Sequence, residues 1–164
     1  MHTDWLTLLI TRELSGFSRE LDLFHHEKLI WEEVPGVSNS VGTLTLHVCG
    51  NLRHFVGTVL GGSDYVRDRD REFSTRGISR GELQANLTAT AEVVRSILAS
   101  LPEDRLQAEY PLPLGGTQLA TGLFLLHLST HLAHHLGQAG YLRRALTGVN
   151  QSSGAMAIPE LSGR

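Results

Sequence analysis

The longest uncharged stretch of the chain constrains its fold more than any other feature. No Asp, Glu, Lys or Arg occurs between Glu109 and Arg143, and much of this stretch is apolar. Its second half nevertheless contains Gln138 and four of the nine histidines, which are costly to leave against lipid. A helix buried in a water-soluble bundle explains both the missing charges and the tolerated polar groups. We therefore expect a helical bundle and no membrane partner.

Apolar spacing and breaking residues divide the chain into four helical stretches, at about residues 3–31, 41–60, 79–101 and 122–146. A charged linker, residues 68–76, precedes the third stretch. Four helices of this length predict an all-α fold, an antiparallel four-helix bundle.

The segments around the last helix are less regular. Residues 107–121 contain two prolines and the pair Gly115-Gly116, which predicts a short extended segment or hairpin before the last helix. After Gly148 the chain is rich in Gly and Ser, so we expect it to be ordered only if it docks. The prediction is one domain over residues 1–150 and a C-terminal tail over 151–164.

Composition and charge exclude several classes of function. A formal net charge of −3 lacks the basic character of a nucleic-acid binder. The single cysteine, Cys49, excludes an intramolecular disulfide and a four-cysteine metal site, and we interpret it as a small buried thiol. Asp4 and Glu13 lie inside the first apolar segment, which is atypical of a signal peptide. We expect a soluble cytoplasmic protein.

The histidines of the last helix carry the candidate chemistry. His131 and His135 are about 40° apart around a helix and ~6 Å apart along it, so both imidazoles can reach one cation. His127 and His134 lie on the same broad face, and spacing alone does not choose the pair. A lone histidine here would be a core residue, but each buried imidazole needs two partners, and four together favour a metal site. A pH-responsive helix contact is the alternative.

A third ligand has to come from another helix. His47 lies among apolar residues in the middle of the second helix, whereas His54 lies two turns later near its end. His47 is therefore the better candidate, and Gly50 between them permits close approach of a neighbour or ligand. Surface positions are expected for His25 and His26.

Other metal chemistries lack their motifs. The chain contains neither the Glu-x-x-His of di-iron bundles nor the His-Glu-x-x-His of thermolysin-type peptidases. An all-nitrogen, three-histidine site with open positions remains, which is typical of catalytic zinc. No carboxylate general base is evident. Neutral imidazoles suit zinc or nickel, and also iron or copper.

Several motifs together resemble the DinB-like superfamily over about residues 1–147. They are His47 in a Leu-rich helix, residues 49–54, residues 67–73, and the string His131-x-x-His134-His135-x-Gly137-Gln138. The resemblance implies a four-helix bundle, commonly dimeric, that binds a divalent metal through His47, His131 and His135. It also departs from the family, because Leu136 stands where many relatives have Arg. Residues expected behind the ligands or in a substrate pocket are Gln138, His134, His127 and Asn51.

The resemblance also implies a function. Characterised relatives include transferases and isomerases that use the thiols bacillithiol or mycothiol, so we expect a metal-dependent transferase of a low-molecular-weight thiol to a small electrophile. The implied partners are a small-molecule substrate and a second copy of the chain. Alternatives are a stress-related metal-binding bundle without turnover and a metal-dependent hydrolase. The charged run 67–73 is expected to cap a helix or form ion pairs, or else to bind a substrate carboxylate through Arg67, Arg69 or Arg71.

Overall fold

The computed structural model describes residues 2–162 and contains a bundle of four long helices. The helices are α1 (Thr3–Asp22), α2 (Val41–Leu52), α3 (Arg69–Ser74), α4 (Arg80–Ser100) and α5 (Thr121–Thr147). Helices α1 and α2 each pack against both α4 and α5, while the short α3 packs on α2. The all-α four-helix bundle is therefore confirmed. In the described part of the chain, no helix is both long and apolar enough to cross a membrane.

Helix α2 has a capped start and continues into a π-helix at its end. The Ser40 side chain accepts a hydrogen bond from the Thr43 amide and so caps the helix, as expected. After Leu52 the chain continues as a π-helix, Arg53–Leu60, up to the predicted end. Nearly every residue of α2 is buried, including His47. Wide turns of this kind are frequent at functional sites.

Helix α1 is shorter than predicted. It ends at Asp22, and a 3-10 helix, Glu27–Trp31, follows after a turn. The exposed side chains of residues 25–28 include His25 and His26, in agreement with their expected surface position. The prediction of one helix to residue 31 was wrong because apolar residues continue to be buried beyond the end of α1, Phe24 in the connecting segment and Ile30 in the 3-10 helix.

The segment before α5 forms a short hairpin, which is one of the two predicted alternatives. Two isolated antiparallel bridges, Glu109 with Ala120 and Leu114 with Thr117, close it. The buried Tyr110 hydroxyl donates to the Phe55 carbonyl at 2.7 Å. This bond ties the hairpin to the π-helix that follows α2.

The tail docks on the bundle through a fully buried arginine. Arg143 of α5 is 0% exposed and donates to Glu20 of α1 at 2.8 Å. The same guanidinium donates to the carbonyls of Val149 and Gln151, each at 2.6 Å. Ser153 donates to the other Glu20 oxygen at 2.6 Å. The tail was expected to be ordered only if it docks on the bundle. Residues 149–153 do dock there.

Candidate metal centre

Three of the predicted histidines lie together where α2 packs on α5. Each of His47, His131 and His135 offers one ring nitrogen, and these atoms all lie within 4.8 Å of one another. The ring centroids are 5.3 Å apart for His47 and His131, 5.1 Å for His47 and His135, and 4.4 Å for the pair on α5. His47 is buried, whereas His131 and His135 are half-buried. We call this set the three-histidine cluster.

In two of the three rings, a hydrogen bond at one nitrogen leaves the other nitrogen free to bind a metal. His135 Nδ1 donates to Gln138 Oε1 at 2.7 Å, and His47 Nδ1 donates to Glu72 Oε2 at 3.0 Å. Since amide and carboxylate oxygens only accept here, both rings carry the proton on Nδ1 and leave Nε2 as an acceptor when neutral. Oxygen partners on the outer nitrogen are typical of metal-binding histidines.

The spacing of the free nitrogens fits a metal ion. The Nε2 atoms of His131 and His135 lie 3.1 Å apart. Two nitrogens bound to one tetrahedral zinc at about 2.0–2.1 Å would be roughly 3.3 Å apart. The pair on α5 therefore fits a divalent cation with little rearrangement, and a ring nitrogen of His47 lies within 4.8 Å of both.

Glu72 is the site residue that sequence reasoning missed. It lies on α3, inside the segment predicted as a charged linker, and its carboxylate is buried against His47. Arg67 donates to both Glu72 oxygens, at 2.7 and 2.9 Å. Burial alone would raise the pKa of Glu72, but the hydrogen bonds from Arg67 and His47 outweigh it and lower the pKa. The sequence showed no carboxylate general base, and Glu72 is a carboxylate that instead holds the His47 ring.

A glycine on α2 makes room for this carboxylate. Gly50 lies three residues after His47, and a Cβ atom at Gly50 would overlap Glu72 Oε1. The sequence indicated a close approach at Gly50 without naming the neighbour, which is Glu72. The available signals were this glycine and the charged run 67–73, for which ion pairs were expected, but 25 residues separate His47 from Glu72 and neither signal links the two.

The environment favours the neutral form of His131 and His135. Burial lowers the pKa of His131 to about 4, and the nearby His135 and His47 act in the same direction. Burial also lowers the pKa of His135, although its bond to Gln138 acts in the opposite direction. Neutral imidazoles are the form that binds metal, so protons compete weakly for these rings at neutral pH.

The remaining predicted residues surround the cluster. His127 is exposed, and its ring lies 6.1 Å from that of His131. His134 is also exposed, and its Nε2 lies 3.0 Å from the Gln138 amide nitrogen, so Gln138 contacts both His134 and His135. Asn51 is buried one turn after His47.

Two positions bear on the charge near the cluster. Leu136, where relatives carry Arg, is buried and packs against Gly16 of α1. A cationic group is nevertheless present, because Arg67 Nη2 lies 3.4 Å from His47 Nδ1. Arg69 instead lies over the Phe73 ring, and Arg71 is exposed.

The charged run also caps a helix, as expected. The Asp68 side chain accepts a hydrogen bond from the Arg71 amide at 2.9 Å and so caps α3.

A comparison with models of protein families identifies the family of the chain. A family model described as the DinB superfamily matches residues 10–139, which include all three histidines of the cluster. No curated protein matches the chain.

Proposed function

The chain belongs to the DinB superfamily, and from this membership and the three-histidine cluster we propose a metal-dependent transferase that joins a low-molecular-weight thiol to a small electrophile. The observation that carries the proposal is the convergence of three imidazole nitrogens within 4.8 Å. Three protein nitrogens leave at least one further position on a cation, which is the pattern of catalytic zinc sites.

The chemistry divides between the cation and the chain. A divalent cation held by the three histidines would favour the deprotonated form of a bound thiol. Glu72 holds the ring of His47 in its tautomer, and Arg67 keeps Glu72 ionised. Gln138 fixes the ring of His135 in the same way.

Glu72 does not act as a free general base, because it is engaged by His47 and by two donors of Arg67. The proposal therefore assigns the activation of the nucleophile to the cation. The half-exposed positions of His131 and His135 favour an accessible site over a closed structural one.

A non-catalytic metal-binding bundle is the second candidate, and one observation favours it. His47 belongs to α2 and the other two histidines to α5, so a shared cation would link two helices. The homodimer and the small-molecule substrate implied by the resemblance stay predictions.

Metal analysis and thiol-conjugation assays test the proposal. We expect the purified protein to bind about one divalent ion per chain and to consume bacillithiol, mycothiol or glutathione with some member of an electrophile panel. Metal binding without any thiol consumption would contradict the transferase and favour the structural candidate. A protein that binds no divalent metal would contradict both.

A variant of Glu72 sharpens this test. Glu72→Gln removes the negative charge behind His47, and loss of such a partner weakens metal binding by about 10–100-fold. Glu33→Gln is the matched control, because Glu33 forms an exposed ion pair with Arg76 at 2.9 Å. Equal metal affinity in the two variants, by competition with a chelator, would contradict the role of Glu72.

A further inference from the structure

An apolar cavity lies beside the three-histidine cluster. It has a volume of about 210 Å³ and is lined by Val37, Asn39, Leu44, Gln138, Tyr141 and Leu142. None of these side chains is charged. Leu44 and Leu142 are buried, whereas Tyr141 is 79% exposed, so the cavity has an apolar floor and opens to solvent.

The cavity and the cluster share a wall. Leu44 precedes His47 by three residues on α2, and Gln138 follows His135 by three residues on α5. Three residues of helix correspond to ~4.5 Å along the axis. The Gln138 amide accepts from His135 at 2.7 Å and also lines the cavity. A molecule bound in the cavity therefore lies about one helical turn from the cluster.

The size and lining select the kind of ligand. An apolar cavity of about 150 Å³ is large enough to bind benzene, so this one holds a single six-membered ring or a branched alkyl group. The polar side chains of the lining are those of Asn39, Gln138 and Tyr141, none of which carries a charge. A carboxylate or ammonium group would lose its hydration there without a charged partner.

We propose that this cavity binds the neutral apolar part, an aromatic ring or branched alkyl group, of the small molecule whose reactive end lies at the three-histidine cluster. The identity of that molecule as the substrate rests on the proposed function. Binding of an apolar group in the cavity does not.

A neutral aromatic probe tests the cavity directly. Binding of 4-fluorobenzyl alcohol to the full chain is followed by fluorine NMR, with metal and after chelation. We expect saturable binding in both states. Val37→Trp fills the cavity from its exposed loop and should weaken binding at least tenfold, and Tyr141→Ser, which removes a wall, should weaken it too. Val149→Trp is the matched control, since Val37 is 40% and Val149 38% exposed, and it should bind as wild type.

The outcomes separate this proposal from the proposed function. Probe binding that Val37→Trp removes, in a protein that binds no metal, would support the cavity and overturn the proposed function. Metal binding without probe binding, or equal probe binding in Val37→Trp and Val149→Trp, would overturn the cavity proposal alone. Sedimentation tests whether a second copy of the chain occupies the cavity instead. Self-association that excludes the probe and disappears in Val37→Trp would show that a second copy fills the cavity, and would overturn the proposal.

Discussion

Each histidine of the cluster has one nitrogen that matters for metal binding, and its neighbours determine which one. Glu72 and Gln138 occupy Nδ1 of His47 and His135, which leaves Nε2 of both rings for a ligand. His131 has its Nε2 3.1 Å from that of His135, so in the metal-free chain one of these nitrogens donates to the other. A cation would replace that hydrogen bond, because it requires both nitrogens unprotonated.

The first prediction separates neighbouring histidines of α5. His131→Ala removes a nitrogen of the cluster, so we expect it to weaken metal binding by more than the ~100-fold that loss of an outer partner costs. His134 is exposed and contributes no nitrogen to the cluster, although its ring lies 5.3 Å from that of His135, so His134→Ala should cost less than about tenfold. Equilibrium dialysis with metal analysis measures both. Equal losses would refute the choice of ligands.

The second prediction concerns pH and the metal-free protein. The pKa of His131 is lowered from 6.5 to about 4 in the folded chain. Between these values the unfolded chain binds a proton that the folded chain does not, so the free energy of unfolding falls as the pH is lowered from 6.5 towards 4. Above pH 6.5 this contribution is constant. Urea unfolding in the presence of chelator measures the slope.

The matched variants for this slope are two histidine substitutions. His131→Gln removes the titrating ring and should make the pH dependence shallower over that range. His25→Gln changes an exposed histidine and should leave it as in wild type. A steeper slope in His131→Gln, or identical slopes in all three proteins, would contradict the buried neutral state of His131.

At the scale of helices, two glycines have opposite expected effects. Gly50 of α2 faces Glu72, whereas a Cβ at Gly137 of α5 would meet nothing within 4 Å. Alanine stabilises an open helical position by about 0.5–1 kcal/mol relative to glycine. Gly137→Ala should therefore stabilise the protein by about that amount and leave metal affinity unchanged.

The third prediction follows for Gly50→Ala. The added methyl group displaces Glu72 from His47, so metal affinity should fall by about 10–100-fold, as in Glu72→Gln. Chelator competition on the two glycine variants measures the difference. Unchanged affinity in Gly50→Ala would mean that the carboxylate does not depend on this gap.

The elements differ in how far the sequence could predict them. The uncharged stretch, its spacing and the flanking breakers predicted α5 nearly to its ends. The resemblance to the DinB-like superfamily, rather than the spacing, selected His131 and His135 among its four histidines. Helix α3 was not predicted, because six residues are too few for a periodic pattern and its contacts lie on α2. Glu72 depended on that helix, so the partner of His47 could not be predicted either.

At the scale of the whole molecule, the cluster connects parts of the chain that are distant in sequence. Helix α2 packs on α4 and α5, and Glu72 of α3 contacts α2 through His47. At another contact, Arg143 of α5 forms a buried ion pair with Glu20 of α1 and holds the tail. The bundle is therefore joined by a buried ion pair between α1 and α5, and the cluster offers a second link, between α2 and α5.

The last prediction is that a divalent metal stabilises the whole bundle. The unfolded chain separates His47 from His131 and His135, so a cation bound by all three stabilises the folded state over the unfolded one. At a free metal concentration of about 100 times Kd the gain is ~2.7 kcal/mol. For a chain of 164 residues this corresponds to a rise in Tm of roughly 5–10 °C.

Thermal unfolding with and without zinc measures this rise in Tm. The variant His131→Ala should lose the shift, while the control His25→Ala should keep it. An equal shift in both variants would place the stabilising ion outside the three-histidine cluster, and α2 and α5 would then be held together by their packing alone.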